Sequence, residues 1–165
     1  MRCELPDRGR TDRLYLTFRL AADRYALEVS RIAEVLPLVG IKQLPRSPQG
    51  IAGAFDYRGT PVPVIDLSEL TLGRTARAQL STRIILVHYP DGRGGIHLLG
   101  LIGEDATELI RRTPAEFMPS GVSNGVAPYL GPIARASGGL VQMIEVERLL
   151  PAAVRDMLFA ETQVT

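Results

Sequence analysis

Apolar and polar residues alternate at several places along the chain, and each alternation predicts a β-strand with one buried face. The first lies in residues 14–20, where four apolar side chains share one face, namely Leu14, Leu16, Phe18 and Leu20. After a turn the alternation resumes, so residues 15–29 are predicted to form a hairpin. Ser30 is a suitable N-cap and predicts a short helix that ends before Pro37.

The middle of the chain combines many turn-forming residues with the best strand signal in the sequence. Four prolines and three glycines in residues 45–63 argue against a long helix or a central strand there. An edge strand is predicted before Asp66, followed by a short helix or loop over residues 68–80. Residues 83–89 and 96–102 are strongly apolar, and the glycine-rich turn between them predicts a hairpin.

The C-terminal third predicts one more hairpin and a helix. Residues 106–112 are expected to be extended or briefly helical, and residues 113–128 to form a loop. The last hairpin is predicted over residues 129–146, and apolar residues at helical spacing follow to residue 159. About nine short strands with few helices favour an all-β barrel architecture over alternating β and α units.

Composition limits the classes of function. The chain has 165 residues with a net charge of +1, which lacks the basic excess of nucleic-acid-binding proteins. Its 45% apolar and 22% charged residues are typical of a globular domain. We expect residues 1–13 to be a flexible leader, residues 14–160 a single domain of two small lobes, and residues 161–165 a tail.

The cysteine count and the absence of long apolar stretches predict a cellular location. A single cysteine excludes an intramolecular disulfide and every metal site built from several cysteines. The first 13 residues lack the apolar centre of a signal peptide, and no stretch reaches the about 18 apolar residues that a membrane helix needs. These features predict a cytoplasmic protein without direct membrane insertion.

Two histidines are the only candidates for imidazole chemistry. His88 and His97 flank the glycine-rich turn, and a metal pair would need a third ligand that neighbouring positions do not supply. The sequence contains no HExxH, CxxC or GxSxG motif, so we expect no metal and no cofactor. A small metal- or ligand-dependent β-barrel enzyme using His88 and His97 remains the alternative function.

The segment from Gly50 to Gly59 has a composition that suits an interface. Its small residues permit close approach of another backbone, and Phe55, Tyr57 and Arg58 are residue types enriched at protein interfaces. A tight connection with a solvated arginine is the other interpretation of the same residues.

The order of several motifs resembles the CheW domain of bacterial chemosensory adaptors. The resemblance covers residues 14–150 and is most specific in the proline-led segment from Ile51 to Leu67, which reads IAGAFDYRGTPVPVIDL. The aromatic residue before the Arg-Gly pair and the LSTRIILV stretch resemble adaptors of the surface-sensing Wsp-type pathway.

This resemblance implies a fold and a set of partners. The fold would be all-β with short helices: two interleaved five-stranded SH3-like β-barrels, a hydrophobic seam between them and a C-terminal helix. The function would be that of a non-catalytic adaptor without cofactor. It would couple transmembrane chemoreceptors, at their cytoplasmic tips, to the regulatory domain of a CheA-like histidine kinase, and so be recruited to inner-membrane receptor complexes.

The resemblance also assigns contact residues by motif. Ile32 and Glu34 correspond to kinase-facing positions of the family. The receptor and array positions fall on four residues, namely Gly53, Arg58, Ile84 and Leu109. Of these, Ile84 and Leu109 would line an apolar groove for receptor helices, although core positions would show the same residue types.

Three positions depart from the family pattern. Asp56 and Tyr57 replace the usual Asn-Leu before the Arg-Gly pair, which adds charge and bulk beside Arg58. Glu104 stands where the family has an aspartate, and Pro132 removes a backbone donor in a late strand. The first two departures predict a dedicated set of partners.

Overall fold

A computed structural model describes residues 12–121 and 127–159, which form nine strands and two short helices. The strands are β1 Arg13–Leu20, β2 Asp23–Glu28, β3 Ile32–Pro37, β4 Ile51–Tyr57, β5 Thr60–Asp66, β6 Arg83–Pro90, β7 Ile96–Arg112, β8 Leu130–Ala136 and β9 Gly139–Ile144. The helices are α1 Leu67–Leu72 and α2 Ala152–Leu158.

The long strand β7 belongs to two five-stranded lobes. Its residues 96–103 pair with β6, and residues 100–102 also pair with β5, so this part joins β3, β4, β5 and β6 in a middle lobe. Its residues 104–112 pair with β1, which together with β2, β8 and β9 completes a terminal lobe. The expected two-lobed β fold with a C-terminal helix is confirmed.

Apolar side chains form one large shared core and one smaller core in each lobe. The large cluster draws Leu16 and Leu27 from the terminal lobe and Ile65 and Ile85 from the middle lobe, so it is the predicted seam between the lobes. The apolar residues after Val146 extend this cluster, which explains why the C-terminal segment packs here. Burial of apolar side chains from both lobes in one cluster therefore holds the two lobes together.

The predicted helix after Ser30 is wrong. Residues Val29–Arg31 make a single 3-10 turn, and the chain continues as strand β3. The Ser30 side chain does not cap this turn; the N-cap position is Glu28. Pairing of β3 with β6 satisfies the backbone and buries apolar surface, so tertiary contacts override a local helix signal.

Two other predictions changed in detail. Residues 51–57 form strand β4 among the surrounding prolines and glycines, and β4 is not a central strand: within the described residues it pairs along its length with β5 and otherwise has one bridge, between Ala54 and Lys42. The C-terminal helical segment is divided: Val146–Arg148 is a 3-10 turn, and α2 begins after Pro151. Residues 106–112 are extended, which was one of the two interpretations.

Within the described residues, no helix is long and apolar enough to cross a membrane. Strand β1 begins at Arg13, and residues 1–11 and 160–165, which include most of the expected leader and all of the expected tail, lie outside the described part of the chain.

Candidate functional site: the tip of the middle lobe

A two-residue turn joins β4 to β5 and presents Arg58 at the surface. Arg58 and Gly59 have φ angles of 51° and 87°, which matches a hairpin turn whose twist follows that of the strands. The Asp56 carboxylate accepts a 2.7 Å hydrogen bond from the Gly59 backbone N–H. Asp56 therefore stabilises the turn itself, and it does not hold the Arg58 guanidinium.

Arg58 instead pairs with Glu34 on edge strand β3. The Arg58 Nη2 atom lies 3.6 Å from Glu34 Oε2, and the same oxygen accepts a 2.6 Å hydrogen bond from the Tyr57 hydroxyl. The Arg58 guanidinium also lies over the Tyr57 ring, 5.1 Å from its centroid. We call Glu34, Tyr57 and Arg58 the tip cluster.

The members of the tip cluster differ in exposure and in strength of contact. The Arg58 side chain is 77% exposed and that of Glu34 is 35% exposed, so their ion pair is screened and stabilises the fold by less than about 1 kcal/mol. The hydrogen bond to Glu34 raises the pKa of Tyr57 above its usual range, and partial burial adds to this effect. Tyr57 and Glu34 thus hold each other, and Arg58 keeps donors available to a partner.

Gly53 has a structural role below this tip. Its φ is 146°, and a Cβ atom there would lie 2.0 Å from the Lys42 carbonyl oxygen. This close approach lets Lys42 and Ala54 exchange two backbone hydrogen bonds of 2.8 and 2.9 Å. The buried Gly53 therefore fastens the segment around Lys42 onto β4, and it offers no side chain to a partner.

Ile32 and Glu34 point to opposite faces of the sheet. A bulge in β3 places Ile32 opposite Val87 and Glu34 opposite Leu86. Because Val87 and Leu86 are consecutive on β6, they face different sides, and their cross-strand partners do the same. Ile32 packs against the seam, while Glu34 belongs to the tip cluster. The two expected kinase-facing residues do not form one patch of side chains.

Ile84 and Leu109 differ sharply in exposure. Ile84 is fully buried in the core of the middle lobe, so the expectation that it lines an open groove is wrong in this structure. Leu109 is 58% exposed, opposite Leu16 on β1. Leu14 lies diagonally across from Leu109 on the same face and is also exposed. Leu14 and Leu109 together form an exposed apolar stripe.

The two histidines do not form a site. His88 is paired with Leu98 and His97 with Tyr89, so the imidazoles project from opposite faces of the hairpin. His97 Nε2 lies 2.8 Å from Asp91 Oδ2, and its ring stacks on Phe159 with a centroid distance of 4.4 Å. No group of three or more potential ligands gathers within residues 12–121 and 127–159.

The sequence analysis missed that the kinase and array positions meet. Glu34 and Arg58 were assigned to different partners, whereas the structure pairs them, with Arg58 Nη2 at 3.6 Å from Glu34 Oε2. Tyr57, which departs from the family pattern, could have indicated this contact, because a half-buried phenol needs a hydrogen-bond acceptor.

Comparison with known proteins relates the chain to a protein family. Residues 14–154 match the family described as CheW-like domain. The chain is 27% identical over 139 residues to the chemotaxis protein CheW of Helicobacter pylori, covering 82% of this chain and 80% of that protein. It is 26% identical over 156 residues to protein FrzA of Myxococcus xanthus, covering 90% and 94%.

A solved structure shares the fold. The scaffolding protein TtCheW from Thermoanaerobacter tengcongensis superposes with a TM-score of 0.76 at 24% identity. The match covers 92% of this chain and 96% of that one, so it includes both lobes.

Proposed function

Since this chain belongs to the CheW-like family of non-catalytic chemotaxis scaffolds, we propose that it couples transmembrane chemoreceptors to a CheA-like histidine kinase. The observation that carries the proposal is the match of both lobes, residues 14–154, to that family. Residues 14–160 act as a single scaffold in this proposal.

The kinase contact is assigned to edge strand β3 and the tip cluster. Glu34 and Arg58 lie on the surface at the end of the middle lobe, where strand β3 has β6 as a neighbour on one side only. An ion pair between a partly exposed arginine and a carboxylate can separate, and each group can then pair with an opposite charge on a partner. Ile32 supports this edge from the seam, and Gly53 supports it by fastening the segment at Lys42.

The receptor contact is assigned to the apolar stripe of Leu14 and Leu109. Both side chains are exposed on one face of the β1–β7 ladder, where solvation of apolar surface is unfavourable. An amphipathic helix binds such a surface through its apolar face, as expected for the helical tip of a receptor. Ile84 is absent from this contact because it is buried. The scaffold would then be cytoplasmic and reach inner-membrane receptor complexes through protein contacts alone.

The alternative enzyme function is not retained. Membership of a family of non-catalytic scaffolds argues against it, and His88 and His97 face opposite sides of their hairpin. A single metal ion cannot bridge imidazoles that project from opposite faces.

The proposal is tested by reconstituting receptor-containing vesicles with the kinase and this protein. We expect kinase activity to depend on the wild-type protein. Leu109→Glu should reduce sedimentation of the protein with receptor vesicles while kinase binding in solution persists. Ile96→Glu is the matched control, because Ile96 is 71% exposed on the same strand. A protein that binds neither kinase nor receptor would overturn the proposal, and so would equal losses in both variants.

A further inference from the structure

A polar cleft with a volume of about 550 Å³ lies between the two lobes, and no residue of the tip cluster or of the apolar stripe lines it. The terminal lobe contributes the turn after β1, the middle lobe contributes the loop after α1, and β7 forms the floor. Six lining residues carry charge or an amide, namely Arg19, Arg74, Arg77, Gln79, Glu104 and Asp105.

The loop that forms one wall of the cleft is held by two buried polar side chains. Asp66 is 3% exposed; it caps α1 through the Ser68 and Glu69 backbone N–H groups and also accepts a 2.9 Å hydrogen bond from Ala76 N–H. Thr82 is 1% exposed, accepts from the Gln79 N–H and donates to the Arg77 carbonyl. The backbone that carries Arg77 is therefore preorganised.

The charged groups of the cleft fall into two sets. Those on the floor have partners within the described residues, and the two arginines at the rim have no carboxylate partner there. Glu104 accepts a 3.2 Å hydrogen bond from the Ser68 hydroxyl. Asp105 accepts one of 2.7 Å from the Ser81 hydroxyl and lies 3.7 Å from Arg19 Nε. Arg74 and Arg77 are exposed and form no ion pair with any carboxylate of the described residues. Within the described residues, no carboxylate pairs with either of these two cations at the rim.

A bulge in β7 lies at the floor of the cleft. Thr17 pairs with Glu108 and Arg19 with Glu104, so the β7 side of the ladder contains additional residues between these two pairs. Asp105 lies in this bulge with a φ of 48°, a left-handed conformation that is unusual for a residue other than glycine. Such local strain is often retained where a surface is used.

We propose that this cleft binds an acidic segment of a partner protein, whose carboxylates pair with Arg74 and Arg77. A guanidinium pairs with a carboxylate through two parallel hydrogen bonds, and neither arginine has that partner within the described chain. The rim is open to solvent, which suits a linear segment, and the floor carboxylates have acceptor capacity left for its backbone N–H groups. Because the cleft touches both lobes, the bound segment bridges them. The residues involved are separate from those of the proposed kinase and receptor contacts.

The test uses the purified full chain and a synthetic fluorescein-labelled peptide of alternating Ser and Glu, with a Ser-Gln peptide as the neutral probe. Fluorescence anisotropy should show binding of the acidic peptide only, weakening as NaCl rises from about 50 to 300 mM. The double variant Arg74→Gln/Arg77→Gln should weaken binding by about tenfold or more. Glu104→Gln should strengthen it by about twofold, because a like charge is removed from the floor.

The matched control is Arg46→Gln/Arg111→Gln, which removes the same total charge from two exposed arginines elsewhere. It should change binding by less than about twofold. Equal weakening in both double variants, or no binding by the wild type, overturns the proposal. Pyrophosphate is the small-anion probe: binding of pyrophosphate that depends on Arg74 and Arg77, without binding of the acidic peptide, also overturns it. Circular dichroism and thermal unfolding check that every variant is folded, and none of these outcomes bears on the kinase or receptor contacts.

Discussion

The Tyr57 hydroxyl donates a 2.6 Å hydrogen bond to the Glu34 carboxylate and so links the β4–β5 hairpin to edge strand β3. A bond between a hydroxyl and an ionised carboxylate is shorter and stronger than a neutral one. The link positions the Glu34 carboxylate, and the Arg58 side chain beside it is 77% exposed. The tip cluster therefore presents a fixed carboxylate next to an exposed cation.

Removing the phenol oxygen should loosen this link without removing the ring. We expect Tyr57→Phe to lower the midpoint of thermal unfolding slightly, because one hydrogen bond is lost while the ring still packs near Phe55. Phe55→Ala, which empties a buried position in the core of the middle lobe, should cost far more, about 3–5 kcal/mol. Differential scanning calorimetry compares the two, and a Tyr57→Phe loss as large as that of Phe55→Ala would contradict this account.

Arg58 should affect coupling more than stability. Arg58→Ala and Arg58→Lys are expected to reduce kinase coupling, because lysine lacks the planar pair of donors that binds a carboxylate. The free energy of unfolding should fall by less than about 1 kcal/mol, since the pair with Glu34 is exposed. The coupling assay and urea unfolding measure these effects.

Asp56→Asn supplies the control for the Arg58 variants. Asparagine keeps an oxygen that can accept the Gly59 N–H, and Asp56 makes no contact with the Arg58 guanidinium. Coupling should therefore stay near wild type. Normal coupling by Arg58→Ala would show that Arg58 is only a solvated turn residue.

Gly53 should tolerate no side chain. A Cβ atom 2.0 Å from the Lys42 carbonyl oxygen forces the two segments apart, so we expect Gly53→Ala to destabilise the fold by about 1–3 kcal/mol. Gly40→Ala is the control, because nothing lies within 4 Å of a Cβ atom at Gly40. Urea unfolding distinguishes the two, and equal stabilities would show that the close approach at Gly53 relaxes freely.

The Asp91 carboxyl group should contribute to the loss of folding stability in acid. Hydrogen bonds from the Arg93 backbone N–H, and next from His97, lower the pKa of Asp91 to about 2. Because this folded pKa lies below the ordinary value of 3.8, its contribution to stability is complete above pH 3.8 and is lost as the pH falls towards 2.

Asparagine at position 91 removes this titration and keeps an acceptor for the turn. Unfolding free energies measured between about pH 2 and pH 5 should therefore fall less steeply for Asp91→Asn than for the wild type. Asp23→Asn, which replaces an exposed carboxylate at the start of β2, is the control for the loss of one negative charge. An unchanged slope in Asp91→Asn would contradict the assignment.

Local pattern predicted several strands, because alternating apolar and polar residues and continuous apolar runs are both features of short segments. Residues 83–89 are strongly apolar and form β6, which lies between β3 and β7. The helix predicted from Ser30 failed because the decisive interaction was the pairing of β3 with β6, whose residues lie about fifty positions away and are invisible to local propensity.

By itself, the sequence determined the all-β class, the hairpins and the family resemblance, because alternation, turn residues and the Ile51–Leu67 motif are all properties of short segments. Only the tertiary structure decided which of the expected contact residues are exposed. Apolar side chains such as Ile84 and Leu109 are alike in sequence, but Ile84 packs into the core of the middle lobe, whereas Leu109 lies on an open face of the β1–β7 ladder. The tertiary structure also decided that Glu34 and Arg58 form an ion pair, because this contact depends on how strand β3 packs beside the hairpin tip.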